Sequence, residues 1–224
     1  MNVSTWCNRP IAATEIRVDK VSGALTNDVF FVSCPSTPGI STLLLRIYDP
    51  FSDDLLPRPR PQELKTLHVL STKYKIGPLI YGTFDNGRLE QYFDSVPLSA
   101  DDVRDPEISR WIATRMAELH QVDVDDIEDP SPLRRDESVE GDMRICLPYA
   151  REVLSLPEIT SSLPRTFNID SFVNQWEEYM RHISLVEAKE GASRRVLAHN
   201  DVRCGNLLRM NPNPRNPKDH RQVG

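Results

Sequence analysis

A short hairpin signal in the first hundred residues constrains the fold more than any other feature of the sequence. Asn86-Gly87 lies between two runs rich in β-forming residues, 79–84 and 89–93. Because an Asn-Gly pair favours the tight turns that join antiparallel strands, the pattern predicts a β-hairpin. The second strand then continues into an irregular exit over 94–98. We therefore expect an antiparallel sheet in this half of the chain.

Three further strands and one helix are expected around that hairpin. Residues 14–18 alternate apolar and polar side chains, 29–32 are rich in β-forming residues, and 43–48 are almost wholly apolar. A helical pattern opens at Gln62 and is ended by Gly77. The first hundred residues thus predict a five-stranded antiparallel sheet with one helix.

Two charged side chains lie inside these elements. Arg46 interrupts the apolar strand, and Glu63 falls in the first turn of the helix. Since arginine is rarely buried without a partner, Arg46 is expected either in a structural ion pair or as a cation that neutralises nucleotide phosphates. Glu63 is a candidate partner, although the helix dipole alone also favours an acid there. The pattern leaves both interpretations open.

The turn between the first two strands is small and polar. It contains Gly23, Thr26 and Asn27. Small residues let backbone N–H groups approach anionic oxygens and hydroxyls add donors, so this turn could cover phosphates. With a single glycine, an ordinary hairpin turn is the simpler interpretation.

The second half of the sequence predicts helices joined by loops. Asp105-Pro106 is typical of an N-cap followed by the first position of a helix. Two more helices are expected over 148–156 and 172–186, and a surface loop over 126–141. The acidic residues of 123–129 lack the glycine and glutamate positions of an EF-hand, so we expect a solvated connection and no calcium site.

A polar loop near the end of the sequence carries the clearest chemical pattern. His199, Asp201 and Asn206 lie between the short apolar runs 196–198 and 207–208. The spacing H-x-D-x-x-x-x-N is that of the protein-kinase catalytic loop, where the carboxylate takes a hydroxyl proton and the carboxamide helps to hold magnesium. Three residue types at fixed offsets also recur by chance, so the motif alone is a weak indication of phosphoryl transfer.

Composition excludes several other classes of protein. The 224 residues are 39% hydrophobic and 27% charged, with a formal net charge of −6, which argues against a nucleic-acid or anionic-membrane partner. The sequence has no apolar run of membrane-spanning length and no signal pattern at its start, so no stable membrane insertion is expected. The four cysteines have no C-x-x-C spacing and are expected to be free thiols. A cytoplasmic protein is the resulting expectation.

Several separated segments together resemble the choline/ethanolamine kinase family, and most of all fungal choline kinases. These segments are 23–27, 44–48, 76–84, 87–92 and 198–207. The likeness extends from about Glu15 to the last residue. It implies an α+β, protein-kinase-like (aminoglycoside-phosphotransferase-like) bilobal fold. In that fold, 1–97 would be the N-lobe with its five-stranded antiparallel sheet, and 98–224 an incomplete helical C-lobe.

The resemblance also implies an activity, ATP-dependent phosphorylation of choline or ethanolamine with Mg²⁺, and roles for matching residues. Asp201 would be the general base, Asn206 a magnesium ligand and His199 a further catalytic residue of the loop. Arg46, paired with Glu63, would touch the ATP phosphates. The other nucleotide-binding positions would be Gly23, Thr26 and Asn27 over the triphosphate, and Glu90 and Gln91 in a hinge beside adenine. The resemblance leaves undecided whether the protein forms a homodimer.

Two departures from the family pattern temper these expectations. Asp49 stands where the family usually has glycine. The family's next motif, D-F-E-Y, whose Asp holds magnesium, would begin just beyond Gly224, so we expect the 224-residue chain to be impaired as an enzyme. The alternatives are a catalytically inactive kinase-like module that binds nucleotide or a protein, and another small-molecule kinase of the ethanolamine or aminoglycoside type.

Overall fold

Contacts between residues divide the chain into two units. The computed structural model describes residues 4–7, 10–21, 27–49, 60–128, 138–162 and 168–211. One unit comprises Met1–Glu128 together with Val196–Gly224, and the other Asp129–Arg195. The second unit is thus inserted in the sequence of the first. The lobe boundary predicted between residues 97 and 98 stays a prediction.

The first unit contains the expected five-stranded antiparallel sheet. Its strands are β1 (Arg17–Val21), β2 (Asn27–Ser33), β3 (Leu43–Tyr48), β4 (Ile80–Phe84) and β5 (Gly87–Gln91), in the order β1-β2-β3-β5-β4. The first strand begins later than predicted, because Ala13–Glu15 form a 3₁₀ turn in which the Glu15 carboxylate accepts from the Ala12 N–H at 2.9 Å. A short helix, α1 (Ser4–Cys7), precedes it.

The predicted hairpin between β4 and β5 is confirmed, but its glycine serves a different purpose from the one the pattern suggested. Among the described glycines, positive φ angles occur at Gly39, Gly77 and Gly191, whereas Gly87 is the first residue of β5. A Cβ atom at Gly87 would overlap the carbonyl oxygen of Arg46 and lie 2.6 Å from the Phe84 ring. The close approach of β3 therefore requires glycine here.

Helix α2 (Arg60–Val69) continues into a π-helical turn, Leu70–Tyr74, and ends at Lys75, whose φ of 60° is left-handed. The apolar face of this helix meets a buried cluster of Leu119, Val122 and Ile127. Polar bonds add to that contact, because Gln62 Nε2 donates to the Ile127 carbonyl at 2.8 Å and Lys65 Nζ donates to the Glu128 carbonyl at 3.0 Å. Helix α2 is thereby fastened to the segment 123–128.

The acidic segment 123–128 is not the free solvated connection expected from the sequence. Val124–Asp126 form a 3₁₀ turn, and the Asp126 carboxylate accepts hydrogen bonds from Lys73 and from the Tyr74 hydroxyl. The same hydroxyl accepts from the Asp123 N–H at 3.1 Å. The Asp126 carboxylate therefore binds the π-helical turn that continues α2.

Asp126 is expected to make the stability of the first unit depend on pH. Hydrogen bonds from Lys73, and then from Tyr74, lower the pKa of Asp126 from 3.8, while the bond to Asp126 raises the pKa of Lys73 from 10.5. The stabilisation is therefore complete between those two ordinary values. It is lost as pH falls through the folded pKa of Asp126 or rises through that of Lys73.

We expect Asp126→Asn to lower the urea midpoint of unfolding near neutral pH, and we expect the difference from the unchanged protein to vanish in acid, once the pH has fallen below the folded pKa of Asp126. Asp125→Asn is the matched control, because Asp125 is an exposed acid of the same turn. An equal loss in both variants, or a loss that persists in acid, would contradict this assignment.

A two-stranded ladder joins the exit of the sheet to the end of the chain's polar loop. Strand β6 (Ser95–Pro97) pairs antiparallel with β7 (Leu208–Met210). The irregular exit predicted over 94–98 is therefore wrong for β6, because its partner strand lies more than a hundred residues further along the chain and leaves no local pattern. Helices α3 (Ala100–Arg104) and α4 (Pro106–Leu119) follow β6, and α4 has the predicted cap: Asp105 Oδ1 accepts from the Glu107 N–H at 2.8 Å.

The second unit is helical. It contains α5 (Val139–Leu154), α6 (Pro157–Ser162) and α7 (Ile169–Glu190). The helix predicted over 148–156 in fact begins nine residues earlier, where the Ser138 hydroxyl accepts from the Gly141 N–H at 3.1 Å, and it contains Pro148. The surface loop predicted over 126–141 is correspondingly too long at its end, and 129–137 lie outside the described residues. Arg151 of α5 bonds Asp170 of α7 at 2.6 Å.

Length and composition together rule out a membrane span for each helix in the described ranges.

Candidate active site

The polar loop 199–206 is anchored at both ends in the first unit. Before it, Leu197 packs against the Leu119, Val122 and Ile127 cluster. After it, Leu207 is 4% exposed and packs with Leu98 and Ile112 in a second cluster. The Leu207 carbonyl also accepts from the Leu98 N–H at 2.8 Å. Two separate apolar contacts therefore fix where the loop begins and ends.

The loop brings together the three residues that its sequence motif predicted. Asn206 Nδ2 donates to Asp201 Oδ2 at 2.6 Å and to the Asp201 carbonyl at 3.0 Å. His199 Nδ1 accepts from the Asp201 N–H at 3.2 Å. Asn200 between them has a φ of 62°, a conformation that asparagine tolerates better than most residues. The side chains at both ends of the motif thus orient Asp201.

The Asp201 carboxylate is held on one side and open on the other. Its side chain is 66% exposed, and the Nε of Arg203 lies 3.6 Å from the bonded oxygen Oδ2. The second oxygen, Oδ1, has no hydrogen-bond partner among the described residues. A carboxylate with one oriented oxygen and one accessible oxygen can accept a proton from a hydroxyl group placed beside it.

The polar loop offers oxygen atoms, the type of ligand that magnesium prefers. Since Asn206 uses its amide nitrogen toward Asp201, its amide oxygen is left to face a cation. Magnesium prefers oxygen ligands and is usually held by one or two protein groups together with substrate phosphates and water. Within the described ranges, no cluster of three His, Cys, Asp or Glu side chains forms a metal cage. Asn206 therefore fits as one ligand of a metal that a nucleotide would share.

A second polar cluster lies on the sheet, and it corrects one prediction. Arg46 of β3 does not pair directly with Glu63 of α2. Its Nε donates to Glu90 Oε1 of β5 at 3.2 Å, and Glu63 Oε1 instead accepts from Arg88 Nη1 at 2.9 Å. The reason is the sheet register: Leu44 lies opposite Glu90, so Glu90 is diagonal to Arg46 on the same face and nearer than the helix.

Glu90 and Gln91 lie in β5 and not in the connection that follows the strand. The Glu90 side chain is 4% exposed and also accepts from Arg88 Nε. Gln91 exchanges bonds with Leu79, donating its N–H to the Leu79 carbonyl at 2.8 Å and accepting from the Leu79 N–H at 3.3 Å. The predicted contact of these two residues with adenine stays a prediction.

The turn that was predicted to cover phosphates is mostly outside the described residues. Gly23 and Thr26 fall in that part of the chain. Asn27 is described: it is the first residue of β2, opposite Tyr48 of β3. Its role toward a nucleotide stays a prediction.

Arg88 is the residue of this cluster that sequence reasoning missed. It lies two positions before Glu90 on one strand, so both side chains point to the same face of the sheet. Burial acts to lower the pKa of Arg88, but the neighbouring carboxylates Glu90 and Glu63 outweigh it and the pKa is raised. The two-residue spacing of an arginine and a glutamate on one strand, which places both side chains on the same face, was the available signal.

Comparison with known proteins gives consistent matches. The family model described as choline/ethanolamine kinase matches residues 18–220. The choline kinase of Schizosaccharomyces pombe is 31% identical over 216 residues, covering 93% of this chain and 45% of that protein. The choline kinase of Saccharomyces cerevisiae is 34% identical over 225 residues, covering 93% and 36%. The chain thus spans less than half the length of these curated relatives.

Solved structures share the fold. The ethanolamine kinase of Plasmodium vivax aligns with a TM-score of 0.62 at 20% identity, covering 88% of this chain and 53% of that one. The choline kinase of Cryptosporidium parvum aligns with a TM-score of 0.62 at 24% identity, covering 91% and 57%. These likenesses confirm the predicted kinase-like α+β fold. The family match over residues 18–220 shows that the chain belongs to the choline/ethanolamine kinase family.

Proposed function

We propose that this protein is an ATP-dependent, magnesium-dependent kinase that phosphorylates choline, and ethanolamine as a second substrate, in the cytoplasmic synthesis of phospholipids. The observation that carries the proposal is the Asp201 carboxylate, held by Asn206 at 2.6 Å and open to solvent on its other oxygen. The family membership supports the choice of an amino-alcohol substrate.

Asp201 supplies the base for this reaction. As the substrate hydroxyl oxygen attacks the γ-phosphorus, its proton passes to the Asp201 carboxylate. A new O–P bond forms, the bond between the γ-phosphorus and the β–γ bridging oxygen breaks, and ADP leaves with the electron pair. When bound, magnesium supplies positive charge to the phosphate oxygens, with the Asn206 amide oxygen as one of its ligands.

Arg46 is suited to contact the nucleotide phosphates. Its side chain is 26% exposed and, among the described residues, makes one hydrogen bond, from Nε to Glu90 at 3.2 Å. Its terminal nitrogens have no partner among the described residues. Because a guanidinium binds phosphate oxygens through two parallel hydrogen bonds, those free groups can hold the triphosphate while Glu90 orients them.

A transfer assay tests the proposal. The native protein is incubated with ATP labelled in its terminal phosphate and with choline, ethanolamine or an aminoglycoside, each with and without magnesium. We expect labelled phosphocholine that depends on magnesium, with less product from ethanolamine and none from the aminoglycoside.

Two results would contradict the proposal, and each points to a different alternative. Nucleotide binding without transfer to any acceptor would favour a catalytically inactive module. Preferred transfer to the aminoglycoside would favour another class of small-molecule kinase.

A further inference from the structure

We propose that Arg88 is a positioning residue that links helix α2 to Arg46 and so sets the orientation of the phosphate-binding guanidinium. In this arrangement helix α2 is connected to strand β3 by a chain of ion pairs. Its four side chains are, in order, Glu63, Arg88, Glu90 and Arg46. The inference rests on the proposed function, because nucleotide affinity is its readout.

Arg88 is the most engaged side chain of the cluster. It is 5% exposed, its Nε donates to Glu90 Oε1, and its Nη1 donates to Glu63 Oε1 at 2.9 Å. The same Nη1 lies 3.2 Å from the Tyr48 hydroxyl, and the guanidinium carbon is 5.5 Å from the centre of the Tyr48 ring. A buried cation with two carboxylate partners and an aromatic neighbour has little freedom to move.

The sheet register explains how Arg88 acts on Arg46. The two arginines are direct cross-strand partners of β3 and β5. Like charges facing each other across a sheet repel, unless an anion lies between them. Glu90 Oε1 accepts from both Nε groups and so supplies that anion. The position of Glu90, fixed by Arg88, therefore decides where the Arg46 guanidinium lies.

Lysine cannot replace Arg88 in this role. Its single ammonium would have to reach Glu90 and Glu63 from one point, whereas the arginine fork reaches them with separate nitrogens. Tyr48 strengthens the requirement, because its ring also carries the Arg60 guanidinium at 4.2 Å. A point charge at position 88 would loosen Glu90 while leaving the net charge unchanged.

A double-mutant cycle on nucleotide affinity separates this positioning role from a purely structural one. Dissociation constants for Mg·ATP are measured for the unchanged protein, Arg46→Met, Arg88→Lys and the double variant. We expect Arg46→Met to weaken binding about tenfold and Arg88→Lys about fivefold. The double variant should then stay within about twofold of Arg46→Met alone, because Arg88 acts through Arg46.

Two controls keep the test decisive. Arg104→Lys, at an exposed position of α3, should leave affinity unchanged. Should Arg88→Lys fail to fold, Arg88→Gln combined with Glu63→Gln replaces it, since that pair removes the cation together with one of its carboxylates.

The outcomes distinguish this inference from the proposed function. Effects of Arg46→Met and Arg88→Lys that simply multiply, or an unchanged affinity in Arg88→Lys when Arg46→Met weakens binding, would overturn the positioning role alone. A failure of the unchanged protein to bind Mg·ATP would overturn the proposed function and the inference with it.

Discussion

Replacing Asp201 with asparagine is expected to lower the rate of phosphate transfer to choline by roughly a thousandfold, within the range that a positioned general base contributes. Asparagine keeps the size of the side chain, and its oxygen can still accept the 2.6 Å bond from Asn206. It cannot take up the hydroxyl proton at neutral pH. The loss should therefore fall on kcat, while the affinity for Mg·ATP changes by less than about threefold.

The measurement pairs steady-state kinetics with nucleotide titration on the same preparations. Asp101→Asn is the matched control, since it removes the same charge from a side chain that is 93% exposed in α3. Turnover in Asp201→Asn equal to that of the control would remove Asp201 from the mechanism. A loss of nucleotide affinity as large as the loss of rate would show instead that the variant disturbs the site as a whole.

Leu207→Ala is expected to destabilise the first unit by about 2–5 kcal/mol, the usual cost of emptying a buried leucine site. Leu207 packs against Leu98 and Ile112, and its carbonyl bonds the Leu98 N–H. The truncated side chain would loosen the junction between the polar loop and helix α4. Because Asn206 directly precedes it, nucleotide-dependent activity should fall further than the population of folded protein accounts for.

Urea unfolding monitored by circular dichroism gives the stability, and a transfer assay at low temperature gives the residual activity of the folded fraction. Val202→Ala is the control within the same loop, because Val202 is 48% exposed and its truncation leaves no cavity. A change below about 1 kcal/mol in Leu207→Ala would mean that the loop is not anchored through this contact.

Local sequence patterns predicted the elements that local chemistry determines. Strand β3 has the predicted bounds, and the cap of α4 at Asp105 uses the predicted side chain. The predicted start of helix α5 is too late, because proline usually marks the first turn of a helix. Here Pro148 lies in the helix interior. The overlooked signal was Ser138 followed by acidic residues, a typical start of a helix.

The site shows the same division between local and distant determinants. The contacts among His199, Asp201 and Asn206 follow from a fixed spacing within one loop, so the motif was enough to bring them together. The partner of Arg46 depends on which residue of β5 lies diagonal to it. That register is a property of two paired strands, and no spacing along the chain between Arg46 and Glu63 could reveal it.

The ladder between β6 and β7 also sets an order of events on the ribosome. Asn211 bonds Asp94 across a separation of 117 residues, and the whole of the second unit is synthesised in between. At usual translation speeds, roughly 6 to 23 seconds pass between the synthesis of β6 and that of β7. During that time the backbone edge of β6 is open to other chains. The polar loop 199–206 is consequently among the last parts of the first unit to assemble, because it is synthesised only after the inserted helices.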